Sequence, residues 1–286
     1  MRRVILWLLI GLPLVLAAVA AGAAAAVPTV RHVVSGVWNA PDRLPALADN
    51  SQVHYQQGAE DYAREVAGLL PAAMTRVESV HGRPFARPVP VGAYATPEAY
   101  VAANGAGSLG PVGTTFIGRV NLSPVLYAPQ HRRLTGILTH ELSHAHLQAW
   151  MSANAYVHLP NWFKEGLAVM VSAGGGAELV SEEEARGAIA RGERITIDDS
   201  GSLWNLSEIR FDRPPQVLPA WRATVLAYRQ AGMFVAYLHD TDGPAFTRML
   251  NGVLDSRPFA QAVAAGYHED IRSLWQKFVQ AGPQQK

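Results

Sequence analysis

Apolar residues are spaced along this chain in three different ways. Residues 4–27 form an almost wholly apolar run that contains no charge, opened by Arg2 and Arg3 and closed by Pro28. Residues 29–50 mix Pro, Asp and Ala without a period and read as a linker or irregular lead-in. From there the pattern becomes periodic. Tyr55, Ala59, Tyr62, Val66, Leu69, Ala73, Val77 and Val80 recur at the spacing of one helical face, with Pro71 predicting a kink or a break. Residues 88–95 read as a short strand. Thr96-Pro97-Glu98 opens a short helix, with threonine as cap and proline at its first position. Residues 112–122 place glycines at 113 and 118 among β-forming residues and predict a hairpin or paired strands. Helices follow over 129–151 and from Pro160 onward, and Ser181-Glu182-Glu183-Glu184 has the form of a capping box, which makes its acidic run a solvated helix start. The last hundred residues predict helices over 219–239, 243–254, 258–265 and 269–279.

Strands confined to the first half and helices filling the second predict an α+β fold: a small mixed sheet with a mainly helical carboxyl-terminal lobe. The predicted boundaries are a leader over 1–28, a linker over 29–50, a lobe over 51–180 and a helical lobe over 181–286.

The opening run is a targeting segment. Its charged start, leucine-rich core and small residues near 18–23 fit a secretory signal peptide. As a helix its 24 residues would be about 36 Å long against a hydrocarbon core of about 30 Å, so membrane anchoring through residues 4–27 is the other outcome. Arg2 and Arg3 favour a cytoplasmic amino terminus in both cases, which makes the rest of the chain exported, to the periplasm or the outer face of the cytoplasmic membrane. There are no cysteines, so the fold must stand on core burial without disulfides. A net charge of +1 with no basic stripe argues against a nucleic-acid partner.

The chemistry is concentrated in His140-Glu141-Leu142-Ser143-His144. Positions four apart lie only about 40° apart around a helix, so both imidazoles can reach one ion from one face, with Glu141 beside them as a base. Zinc in a hydrolytic site takes three protein ligands, so one donor must come from elsewhere. Glu165, in Asn161-Trp162-Phe163-Lys164-Glu165-Gly166-Leu167-Ala168, is that candidate. It follows His144 closely enough to return on the next helix, and a carboxylate among Phe163, Leu167 and Val169 is costly to bury without a cation.

These two segments resemble the zinc helix and the glutamate helix of the gluzincin metallopeptidases, and within them the bacterial peptidase MA-like domain proteins. The resemblance implies a zincin-like lobe that includes the sheet and both ligand helices, with Zn2+ on His140, His144 and Glu165, Glu141 as general base, and a peptide or protein substrate. It implies that residues 118–122 form the sheet edge that pairs with substrate, although the same residues serve equally well as an ordinary sheet strand with no ligand. It also makes Tyr228 the candidate for stabilising the oxyanion, although a tyrosine on an apolar helix serves equally well as core. Two features depart from related branches. No G-A-M-E-N-like element appears upstream, so amino-terminal trimming is not implied. Four residues after Glu165 stands Val169 and not an acid, which leaves the residue that orients a zinc histidine unassigned. His146 faces away from the pair, and His158 lies in the connection between the two helices. The other readings of the same residues are a non-catalytic zinc-containing peptide-binding protein and a zinc amidase acting on a non-protein amide.

Overall fold

The computed structural model describes residue 22 and residues 27–202, 208–215 and 218–281. The run over 4–27 therefore lies almost entirely outside the described residues. Among the described residues, no helix is long and apolar enough to cross a membrane. The fold is α+β, with a small mixed sheet and a helical carboxyl-terminal part. Contacts divide the chain into two compact units, one within Met1–Arg64 and Pro90–Pro124, the other within Glu65–Val89 and Val125–Lys286.

The first unit is built on five strands: β1 (Ala46–Leu47), β2 (Asn50–Tyr55), β3 (Val91–Ala93), β4 (Gly113–Phe116) and β5 (Arg119–Leu122). Their order is β1-β2-β3-β5-β4. β3 pairs in parallel with both β2 and β5, while the two outer pairs are antiparallel. The predicted hairpin forms as β4 and β5, turned by Ile117 and Gly118 at φ of 50° and 71°. Two successive positive φ values make the tight turn that matches strand twist. One expectation fails here. Residues 118–122 are not a free edge, because β5 is hydrogen-bonded on both sides and the edge strand is β4. Sequence spacing identifies strands but not their neighbours.

The stretch 29–50 is also more ordered than its composition indicates. It contains a helix, α1 (Pro28–Trp38), a 3-10 turn at Pro41–Arg43, and β1. Helix α3 (Pro97–Ala103) starts as expected, with Thr96 Oγ1 accepting from the Ala99 amide at 3.3 Å.

Helix α2 (Glu60–His81) carries the boundary between the units, which falls after Arg64. It runs through Pro71 without ending, because Val66, Leu70, Ala73 and Val77 already commit one face to burial while Pro71 sits on the exposed side. Tyr55, read as part of this helix, closes β2 instead.

The second unit is helical beyond α2. Helix α4 (Leu134–Trp150) is followed by α5 (Ala153–His158), α6 (Asn161–Val171) and α7 (Glu182–Ala190), then α8 (Ala220–Thr241), α9 (Gly243–Leu254), α10 (Phe259–Tyr267) and α11 (Ile271–Gln280). The connection between the two predicted ligand helices is thus itself a short helix, capped by Ser152 Oγ accepting from the Ala155 amide. Ser181 caps α7 through the Glu184 amide, but the Glu184 carboxylate pairs with Arg222 of α8 instead of returning to the cap. Trp162 of α6 packs against Phe234 of α8 and Phe163 of α6 against Phe259 of α10, with their rings tilted, and Phe234 continues the cluster to Trp275 and Phe278 of α11. This aromatic core holds α6, and therefore Glu165, at a fixed rotation.

Candidate metal centre

Helix α4 is unusual because Ile137 to Leu147 are all buried, including Thr139, His140, Glu141, Ser143, His144 and His146. Buried polar groups must find partners or cost about 1–3 kcal/mol each. Where each side chain goes therefore reveals what the helix is for.

His140, His144 and Glu165 converge. His140 Nε2 lies 3.2 Å from Glu165 Oε2, His144 Nε2 lies 3.1 Å from His140 Nε2, and His144 Nε2 lies 3.4 Å from Glu165 Oε2. One donor atom from each residue falls within 4.8 Å of the others, and this group could hold a metal ion. The proton arithmetic favours that. His140 Nδ1 sits 2.9 Å from the Gly175 carbonyl, which can only accept, so Nδ1 carries the hydrogen and a neutral His140 presents its Nε2 lone pair to the cluster. His144 Nε2 either donates its hydrogen into this cluster or, with the hydrogen on Nδ1, completes three lone pairs facing one point that a cation would fill.

The electrostatics agree. Burial disfavours the charged form of His140, but the hydrogen bond and charge of Glu165 outweigh it and raise its pKa above the ordinary imidazole range. Burial likewise works against ionisation of Glu165, and the charge of His144 with the hydrogen bonds from both histidines holds its carboxyl well below the usual range. His144 is less well held than His140. Its Nδ1 has no hydrogen-bond partner among the described residues.

The orienting group that no acidic residue after Glu165 supplies is the Gly175 carbonyl. Gly174-Gly175-Gly176 reads in sequence as a flexible connection, yet it is a close-packed corner. Gly174 and Gly176 take φ of 102° and 84°, and a Cβ on Gly175 would lie 2.4 Å from the Gly136 carbonyl oxygen, one turn before His140. Only a residue without a side chain lets this carbonyl approach α4. Gly175→Ala is expected to weaken metal binding about 10- to 100-fold, the usual loss when a ligand's outer partner is disturbed. Chelator competition on a variant whose circular dichroism matches the parent measures it, and unchanged affinity would remove Gly175 from the site.

A second pair of glycines sets the other wall. A Cβ on Gly166 would meet the Ala231 carbonyl oxygen at 2.6 Å, and one on Gly232 would meet Val169 Cγ1 at 2.4 Å. Helices α6 and α8 therefore cross almost in backbone contact immediately after Glu165. That crossing brings Tyr228 to the site, its ring nearly parallel to His140 at a centroid distance of 6.3 Å. Burial, then the charges of Glu165 and Glu141, push the Tyr228 hydroxyl well above its ordinary pKa, so it stays protonated and able to donate.

Tyr156 of α5, which the sequence does not single out, feels the charges of this cluster. Burial, with the charges of Glu165 and Glu141, raises its hydroxyl pKa, and its ring receives the Lys164 ammonium at 5.0 Å. It falls in a stretch that reads as a turn, which hid it. The His158 side chain, by contrast, is exposed, with Nδ1 2.8 Å from Asn154 O of its own helix.

The far side of α4 is fixed by a separate chain of buried groups. His146 Nε2–H donates to Arg83 O at 3.0 Å. His146 Nδ1 then accepts from His81 Nδ1–H at 2.9 Å, and His81 Nε2 accepts from the Ser143 hydroxyl at 3.1 Å. Because the carbonyl only accepts, every proton in this chain is assigned with both rings neutral, and burial lowers both imidazole pKa values accordingly. Ser143, a position the motif leaves open, ties α4 to the end of α2.

Compared with family models, curated proteins and solved structures, the chain matches none. The reading of the site rests on its own geometry.

Proposed function

We propose that this protein is a zinc metallopeptidase of the gluzincin type, similar to the peptidase MA-like proteins, with a zincin-like catalytic region that hydrolyses peptide bonds. The observation that carries this reading is the convergence of His140 Nε2, His144 Nε2 and Glu165 Oε2. Ligands about 2.05 Å from a tetrahedral zinc stand about 3.3 Å from one another, and the separations here are 3.1, 3.2 and 3.4 Å. Two imidazoles and one carboxylate are the donor set of a hydrolytic zinc site, which keeps its fourth position open.

The chain's own groups then divide the work. Zinc in such a site lowers the pKa of water and polarises the scissile carbonyl. Glu141 lies on the same helix as both histidines and is buried, yet its spacing sets it beside them instead of among the ligands. It takes the proton of the attacking water and delivers it to the leaving amine. Tyr228, held protonated, donates a hydrogen bond to the oxygen on which negative charge develops. Gly175 O fixes the His140 tautomer throughout.

The same proposal has residues 4–27 directing the remainder of the chain out of the cytoplasm, as a cleaved signal or a retained anchor. The test of function is direct. Purified protein should contain about one equivalent of zinc and cleave members of a broad peptide library, with both properties lost on chelation and restored by zinc. A zinc-loaded protein inert on every peptide would refute the peptidase reading.

A further inference from the structure

Helix α1 is packed the wrong way round for a soluble domain. Around its axis, at about 100° per residue, Val27, Val30, Val33, Val34, Val37 and Trp38 occupy one continuous arc of about 140°. Most of that arc faces outward, Val30 being half-buried. Val33, Val34 and Val37 are 41%, 50% and 46% exposed and Trp38 is 70% exposed. The face turned into the first unit is small or polar instead. Ser35 Oγ donates to Ala102 O at 2.8 Å, buried Gly36 would strike Phe116 and Gly105 if it carried a Cβ, and His32 lies against Gly107. An amphipathic helix on a globular surface normally buries its apolar stripe, and a contiguous exposed stripe marks a surface that meets something else.

The chain itself indicates what that is. The stripe begins at Val27, where the uncharged apolar run over 4–27 ends. Exposed Arg31 stands at one margin of the arc, and exposed Arg43 lies over the Trp38 ring at 5.1 Å. Valines toward hydrocarbon, a tryptophan at the boundary and arginines at headgroup level are the composition of an interfacial helix. We propose that the Val27–Trp38 face of α1 docks on the lipid bilayer, with Trp38 and the two arginines at the headgroup layer, so that the first unit rests directly on the membrane. The inference uses the reading that residues 4–27 enter the bilayer and is independent of hydrolysis.

Because the chain has no cysteine, single-cysteine variants give an unambiguous test. Full-length Val34→Cys and Val37→Cys, with Glu98→Cys on α3 as an exposed polar control, are labelled with an environment-sensitive fluorophore. Each is then reconstituted in vesicles of phosphatidylcholine and phosphatidylglycerol. Emission from positions 34 and 37 should shift to the blue and be quenched by acyl-chain nitroxide lipids, and emission from position 98 should do neither. Brominated lipids provide a label-free check, since Trp38→Phe should lose part of the quenching of intrinsic fluorescence. Vesicle-bound protein whose labels at 34 and 37 stay as aqueous as that at 98 overturns the docking face alone. A blue shift without nitroxide quenching, together with disulfide dimers through position 37, would assign the face to a second copy of the chain and also overturn it. Protein that does not associate with vesicles at all refutes the membrane reading of residues 4–27 and the docking face with it.

Discussion

Glu141→Gln is expected to lower peptide hydrolysis by about 10²- to 10⁴-fold, the usual contribution of a positioned acid–base group, while zinc content stays at that of the parent. The separation of the two readouts follows from the geometry. The converging donors are His140, His144 and Glu165, and Glu141 is not one of them. Glutamine keeps the volume and the polar end of the side chain in this buried position, so α4 has no reason to repack. What it cannot do is accept and return a proton at neutral pH. Steady-state rates and metal content measured on the same preparation decide the matter. Loss of zinc would move Glu141 into the ligand set, and near-parental turnover would end its role as base. Tyr228→Phe is the companion variant. It should lower kcat with zinc retained and KM little changed, as expected of a group that acts on the transition state. An unchanged kcat would return Tyr228 to the core.

Glu165→Ala should have the largest effect on the metal itself, exceeding the about 10- to 100-fold loss that disturbance of an outer partner brings. Removing the carboxylate takes away one of three donors and leaves His140 and His144, whose Nε2 atoms stand 3.1 Å apart, without the negative charge that stabilises a cation between them. The pH dependence in the parent carries the same signature. Glu165 raises the His140 pKa against the effect of burial, so a proton competes with the metal above the ordinary imidazole range of about 6.5. Metal binding requires the neutral ring, and affinity should therefore keep climbing as pH rises past that value instead of levelling there. Calorimetric titration across pH measures both effects. Equal zinc affinity in Glu165→Ala would mean that the third donor is another group.

Much of this site was legible in the chain because it depends on local periodicity. The four-residue spacing of His140 and His144 fixes their shared face as soon as the segment is helical, and the apolar residues around Glu165 give its carboxylate no inexpensive alternative to a cation. Thr96 and Ser181 caps, the hairpin about Gly118 and the four carboxyl-terminal helices follow from equally local rules. The expectations that failed have different causes. Reading residues 29–50 as irregular passes over a local helical spacing at Val30, Val33, Val34, Val37 and Trp38, and α1 forms with that stripe largely outward. The assignment of residues 118–122 to a sheet edge failed because strand order depends on partners distant in sequence.

The sequence by itself determined which side chains can coordinate, which helices present them and where the uncharged apolar run lies, since each follows from the identity and spacing of neighbours within a few turns. Only the tertiary structure decided which backbone atom orients His140, how closely α8 approaches Glu165, and which groups tie down the back of α4. Those are contacts between segments far apart in the chain. Glycines at 166, 175 and 232 set them by leaving out a side chain, so that carbonyls and helices approach to distances that any Cβ would forbid. An omitted atom leaves no periodic trace in a sequence, and its effect becomes visible only when the two backbones meet.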